Sequence, residues 1–288
     1  MNDHFHWDVE RVLFHLGPLE IRAYGLIFAT GLLVSIHMMQ RSFRDRGLPD
    51  KHASTLSLLL PIGMIIGAHL VHLIFYEPRS ILENPVRIIE IGRGLASHGG
   101  GVGVALALLW FTRRHGVSWH RYADAVMVGA VWMIAFVRIG NFFNSEIVGR
   151  ATDVPWGVVF VQRGEHFARH PSQLYETILG IALIGLAMFM HGKRDRLRDG
   201  ATLYTVLAVY FGVRFGLEYF KEYQAQTLTP EFPFTMGQLL SGPVALLCGY
   251  MALFSRRCGL LSSPKPSGPD GNETEGKIRR SHPPTGAR

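Results

Sequence analysis

Seven apolar runs of near-bilayer length constrain this chain more than any other feature. A hydrocarbon core of about 30 Å asks for roughly 17 to 25 predominantly apolar residues per helix. The runs extend from about Ile21 to Met39, Thr55 to Tyr76, Ala96 to Phe111, Ala123 to Phe143, Leu174 to Met190, Ala201 to Phe220 and Thr235 to Phe254, the third being the shortest. Inside lipid every backbone amide must be satisfied within its own element, so runs of this length are read as helices. With 48% hydrophobic residues among 288 and a positive mean hydropathy, the chain is expected to be an all-α polytopic membrane protein with about seven transmembrane helices.

Charge between the runs sets an orientation. The net charge of +7 is not spread like a nucleic-acid footprint, because Lys and Arg sit in short loops beside the spans without an interleaved aromatic platform. Arg41 to Lys51, Arg113 to Arg121, Lys193 to Arg198 and the tail from Arg256 together carry 18 basic residues, against 9 on the other side. Cytoplasmic loops are the basic ones, so the N-terminus is expected to be periplasmic and the C-terminus cytoplasmic. Met1 to Glu20 carries Asp3, Asp8, Glu10 and Glu20 and shows no cleaved signal peptide pattern. The only cysteines, Cys248 and Cys258, give neither a disulfide framework nor a metal-ligand spacing, so thiol chemistry would have to use another molecule's cysteine.

Residues 1–258 are read as one seven-helix membrane domain, with periplasmic segments at about 77–95 and 144–173. The second of these has strand-like character in Trp156 to Val161 and is expected to form a small cap. Residues 259–288, rich in Pro, Ser, Gly, Lys and Arg, are expected to form a disordered basic cytoplasmic tail, since they cannot bury enough apolar surface to offset their ordering entropy.

Ionised groups inside a membrane are expensive and are functional candidates by default. Arg138 and Arg214 lie toward the outer ends of spans four and six, and Glu218 follows Arg214 by four residues on one helix face. Such an arrangement suits either a helix-stitching ion pair or, with two guanidinium forks at one depth, a phosphate. A second cluster, Arg138-Ile-Gly140-Asn141-Phe-Phe-Asn144-Ser-Glu146-Ile-Val-Gly149-Arg150, packs amides and a carboxylate at a helix end. The third is Ser97-His98-Gly99-Gly100-Gly101-Val-Gly103. Its glycines suit helix packing better than phosphate cradling, while His98 is a titratable group near neutral pH. Tyr24, Tyr210, Gln238 and the His170-Pro171-Ser172-Gln173 segment complete the outer-side set, the last being readable as no more than a turn and helix cap. His69 and His72 lack a third convergent ligand nearby, and no metal site or cofactor is expected.

These residues resemble the prolipoprotein diacylglyceryl transferases of bacterial lipoprotein maturation. The resemblance runs to about Phe254 and is carried by Tyr24-Gly25-Leu26, His98-Gly99-Gly100, the Arg138 to Arg150 signature, His170-Pro171-Ser172-Gln173-Leu174-Tyr175-Glu176, Tyr210 to Glu218, and Met236-Gly237-Gln238. It implies transfer of a diacylglyceryl group from phosphatidylglycerol to the lipobox cysteine of prolipoproteins at the periplasmic leaflet of the inner membrane, with membrane lipids and signal peptides as partners. It further implies that His98, Arg138, Arg214 and Glu218 are catalytic and that Tyr24, Asn141, Asn144, Glu146, Arg150, Tyr210 and Gln238 bind substrate. His98 is the candidate base, with Glu146 or Glu218 as alternatives. Two departures stand out: Val137 replaces the usual Gly before the signature arginine, and Ala68-His69-Leu70-Val71-His72 replaces a Gly-Arg-x-Gly-Tyr-like stretch. A non-catalytic lipid-binding or transport protein is the rival class, because it too would use paired arginines facing a polar cavity.

Overall fold

A computed structural model describes residues 4–77, 80, 83–90, 96–222 and 234–254. The expected tail at 259–288 and parts of the 77–95 segment lie outside these residues. Seven long helices are present among the described residues: α1 Ala23–Asp45, α2 Asp50–Tyr76, α3 Ser97–Arg114, α4 Trp119–Phe143, α5 Ser172–Gly192, α6 Ala201–Leu217 and α7 Met236–Phe254. Five of them are long and apolar enough to cross a membrane by length and composition. The exceptions are α3, which begins on Ser97 and His98 and ends on Arg113 and Arg114, and α6, which has 17 residues. The shortest helix is thus the sixth and not the third. Span six ends at Leu217, where Glu218–Phe220 tightens into a 3-10 turn.

Large apolar side chains cover the outside of the bundle. Leu58, Phe75 and Leu246 are 71%, 74% and 78% exposed, which fits a hydrocarbon environment and would be a liability in water. Among neighbouring pairs, α1 lies along α4, α2 along α3, α4 along α5, and α6 along α7. The glycines of α3 are a packing surface in part. A methyl on Gly103 would stand 2.8 Å from the Gly63 carbonyl carbon and one on Gly67 would stand 2.7 Å from Gly103 Cα, so only glycine allows α2 and α3 to approach this closely. Gly101 faces open space and takes no part.

The bundle has two differently built ends. At the end formed by the α1–α2 and α5–α6 turns, Phe43, Leu56, Phe111 and Tyr122 fill the main apolar core. There the buried Asp124 of α4 accepts hydrogen bonds from the backbone amides of Gly200 and Leu203, both at 2.8 Å, capping the start of α6 from a different helix. The Arg46 guanidinium, on a side chain that is 7% exposed, lies 3.8 Å from the same carboxylate.

The other end carries a cap with more strand than the sequence suggests. Strands β1 Phe5–Trp7 and β4 Val158–Phe160 pair in parallel, while β2 Val12–Leu16 and β3 Leu19–Arg22 form an antiparallel hairpin. Residues Ile21 and Arg22 therefore belong to a strand and not to the first span. The strand-like Trp156 to Val161 stretch is β4, but its partner comes from the N-terminal segment, whose mixed composition gives no period-2 signal. Trp7 anchors this cap on the end of α4, 4.4 Å from Phe142 between ring centroids, over a small core of Phe142, Val148, Val158 and Phe160. The histidines of span two tie α2 to the following turn: His69 Nε2 lies 3.1 and 3.2 Å from the carbonyls of Arg87 and Ile88, and His72 lies 3.2 Å from Glu77, which itself pairs with Arg87 at 2.7 Å.

Candidate active site

The cap end of the bundle gathers charge around one carboxylate. Glu176, on the second turn of α5 and only 2% exposed, contacts three cations. Arg138 Nε of α4 and Lys221 Nζ beyond α6 each form close ion pairs with it, and Arg214 Nη1 of α6 lies at 3.2 Å. Burying this much charge is tolerable only because the charges compensate one another. Both arginines lie on helices that bury them at 8% exposure, at the depth where α4, α5 and α6 converge. Glu218 adds a second carboxylate to the cluster, 3.6 Å from Lys221. Burial lowers the Lys221 ammonium from its ordinary 10.5, and the Glu176 carboxylate opposes that shift.

From Arg138 a polar chain runs outward. Its Nη1 donates to Asn141 Oδ1 at 3.2 Å, the Asn141 amide lies 3.4 Å from Glu146 Oε2, and the Asn144 amide closes on Glu146 Oε1. The Glu146 carboxylate is exposed at the site's outer edge. On the opposite side Tyr210 hydrogen-bonds Arg214 from one turn earlier, and Glu218 Oε2 lies 3.6 Å from Lys221 Nζ. Glu218 also lies against Gly237, where an added methyl would come within 2.5 Å of its carboxyl carbon. His98, half-buried at the start of α3, feels the charges of Arg214, Glu218, Lys221 and Arg138. Tyr24 packs its ring against Gly140, leaving 2.9 Å for any Cβ there, and feels Glu146 and Arg138. A cavity of about 360 Å³ lined by Glu20, Arg22, Tyr24, Gly25 and Asn144, among others, opens beside this edge.

Nine of the eleven residues expected from sequence thus lie around one shared region, and the other two, Arg150 and Gln238, bond backbone groups. Arg150 is exposed and donates through Nε to the Lys221 carbonyl at 2.9 Å, tying two cap segments together. Gln238 is 1% exposed; it accepts from Thr235 N at 3.0 Å and donates to the Phe215 carbonyl at 3.3 Å, which fixes the start of α7 against α6. Sequence reasoning missed Glu176 and Lys221 as site residues. Glu176 carried a readable signal, an acidic residue inside an apolar span. Lys221, just past span six, looked like an ordinary loop cation.

The backbone at the site's edge is strained. Ser145 and Ile147, flanking Glu146, both have φ of +53°. The left-handed region is an outlier for a β-branched residue and costs on the order of 1–3 kcal/mol per residue, persisting only where the surroundings over-determine it.

Comparison with known proteins identifies the family. The Prolipoprotein diacylglyceryl transferase family matches residues 11–254. The chain is 38% identical over 253 residues to the phosphatidylglycerol–prolipoprotein diacylglyceryl transferase of Tolumonas auensis, covering 87% of this chain and 97% of that protein. It is 37% identical to the enzymes of the same name from Chloroherpeton thalassium and Geobacter sulfurreducens, covering 86% of this chain and 92% and 96% of theirs. A match of this identity over nearly the whole length, on a multi-pass helical fold, means that the chain belongs to the prolipoprotein diacylglyceryl transferase family.

Proposed function

We propose that this protein transfers the sn-1,2-diacylglyceryl group of phosphatidylglycerol to the lipobox cysteine thiol in the signal peptide of a prolipoprotein. The observation that carries the reading is the buried pair Arg138 and Arg214, held at one depth by Glu176 with Lys221 beside them. In the reaction a cysteine thiolate attacks the glycerol carbon that bears the phosphate ester. A carbon–sulfur bond forms, the carbon–oxygen bond to phosphate breaks, and glycerol phosphate departs carrying the electron pair. The thiolate is the reactive form, so the step needs a proton acceptor for the thiol and fixed cations for the leaving phosphate. His98 is the acceptor in this reading, while Arg138 and Arg214 bind the phosphate and stabilise its growing charge. Asn141, Asn144, Glu146, Tyr24 and Tyr210 orient the headgroup, and Glu218 holds Lys221.

The basic-loop asymmetry supports a periplasmic cap and an active site toward the periplasmic leaflet of a bacterial inner membrane. The test uses the purified full chain in phosphatidylglycerol vesicles with a synthetic lipobox peptide, and follows the peptide by mass spectrometry. A mass gain of one diacylglyceryl group is expected. A peptide that stays unmodified while the protein binds phosphatidylglycerol overturns the transfer reaction.

A further inference from the structure

The strained Ser145–Ile147 turn is held in place from another part of the chain. Its own segment supplies two backbone bonds, from Ser145 N to the Phe142 carbonyl at 3.1 Å and from Glu146 N to the Asn141 carbonyl at 2.9 Å. These leave the carbonyls of Glu146 and Ile147 to be met elsewhere. Gln173 Nε2 donates to the Glu146 carbonyl at 2.7 Å, and Ser172 Oγ donates to the Ile147 carbonyl at 2.8 Å. Both side chains are buried, at 1% and 2% exposure.

Neither side chain does what its position in the sequence suggests. Ser172 opens α5, where a serine hydroxyl normally caps the helix, yet Pro171 stands at the N-cap and no side chain caps α5. The hydroxyl turns across to the strained turn instead. Gln173 Oε1 is buried with no hydrogen-bond partner among the described residues, so the amide's orientation answers to the Glu146 carbonyl alone. The first clamped carbonyl belongs to Glu146 itself, whose carboxylate meets Asn141 and Asn144 at the outer edge of the arginine cluster.

We infer that Ser172 and Gln173 are positioning residues: they clamp the left-handed turn and thereby fix where the Glu146 carboxylate stands beside Arg138. This rests on the transfer reaction proposed above, in which Glu146 orients the headgroup. Replacing one clamp donor removes a buried hydrogen bond, and the turn then relaxes toward ordinary backbone angles, carrying the Glu146 carboxylate away from Asn141. The defect falls on the reacting geometry more than on lipid capture by the arginines.

The test compares Gln173→Leu, Ser172→Ala and Ser172→Thr in the full chain, reconstituted in phosphatidylglycerol vesicles with a lipobox peptide. Gln173→Leu and Ser172→Ala should each lower kcat by about 10- to 100-fold, the loss expected when a buried partner is left unsatisfied, with KM for phosphatidylglycerol nearly unchanged. Ser172→Thr, which keeps the hydroxyl, should retain activity. Ile147→Gly supplies a readout that general destabilisation would not give, because glycine adopts φ of +53° without strain. The double variant Gln173→Leu/Ile147→Gly should therefore recover most of the lost kcat. Full activity in Gln173→Leu, or no recovery in the double variant, overturns the clamp.

A second measurement does not depend on turnover. Amide hydrogen exchange of the 145–149 segment should quicken by about tenfold or more in Gln173→Leu, again the scale of one buried hydrogen bond, while α4 stays protected. Unchanged exchange there refutes the clamp. Absence of transfer by the unsubstituted protein refutes the reaction instead, so the two failures are separable.

Discussion

Arg138 and Arg214 are legible in the sequence because a bilayer makes every interior charge conspicuous, and the same reasoning reaches Glu176 once charge inside a span is weighed equally for both signs. Lys221 is different, since nothing in a sequence distinguishes a loop cation that turns inward from one that stays in water. The backbone partners of Arg150 and Gln238, the Lys221 and Phe215 carbonyls, are likewise set by tertiary packing alone. If the arginines stabilise the departing phosphate, Arg138→Ala and Arg214→Ala should each reduce transfer by about 100-fold or more, the scale of losing one preorganised transition-state donor. Unaffected turnover in both variants would remove the phosphate role. For His98, replacement by Gln preserves a polar side chain but no basic nitrogen, and a loss of roughly 10²- to 10⁴-fold is expected of a general base. Wild-type rates in His98→Gln would hand that role to Glu146 or Glu218.

Among the elements, the helices and β4 are legible in the sequence, while β1 to β3 are not. The apolar runs mark α1 to α7 to within about six residues at each end, whereas β1 pairs with β4 across some 150 residues of sequence and is only three residues long. The tie between α4 and α6 was also hidden, because Asp124 sits near the start of a span where a carboxylate reads as an ordinary helix-end charge. Asp124→Ala leaves two amides and the Arg46 guanidinium without their partner, a loss on the order of 3 kcal/mol by analogy with broken buried pairs. A thermal midpoint in detergent that does not fall would show that the tie contributes little. The cap is held differently, through Glu165, which accepts from Arg169 at 2.5 and 2.9 Å. The Arg169 hydrogen bond holds this carboxyl below its ordinary 4.5. Its folded value is depressed, so its contribution is complete above about pH 4.5 and is lost as pH falls through the folded value. Pepsin should therefore cut the 150–170 segment increasingly as pH falls below about 4.5, and Glu165→Gln should flatten that dependence. A profile that the substitution leaves unchanged would assign the acid sensitivity to another group.

For the molecule as a whole, the asymmetry of basic residues between the loops predicts an orientation. If the end opposite the cap is cytoplasmic, a cysteine introduced within residues 193–198 should resist impermeant maleimide in intact cells and react after lysis. Labelling without lysis would invert the protein and move the site to the other leaflet. Such an assay also draws attention to the protein's own sulfur. Cys248, the one cysteine among the described residues, is buried in α7 and follows the helix start at Met236 by twelve residues, roughly 18 Å at 1.5 Å per residue. An enzyme working on another protein's thiol in an oxidising compartment would be poisoned by a sulfur of its own within reach, through a mixed disulfide with its substrate. If the site opens toward an oxidising compartment, burial in α7 keeps Cys248 from forming such a disulfide with the incoming cysteine.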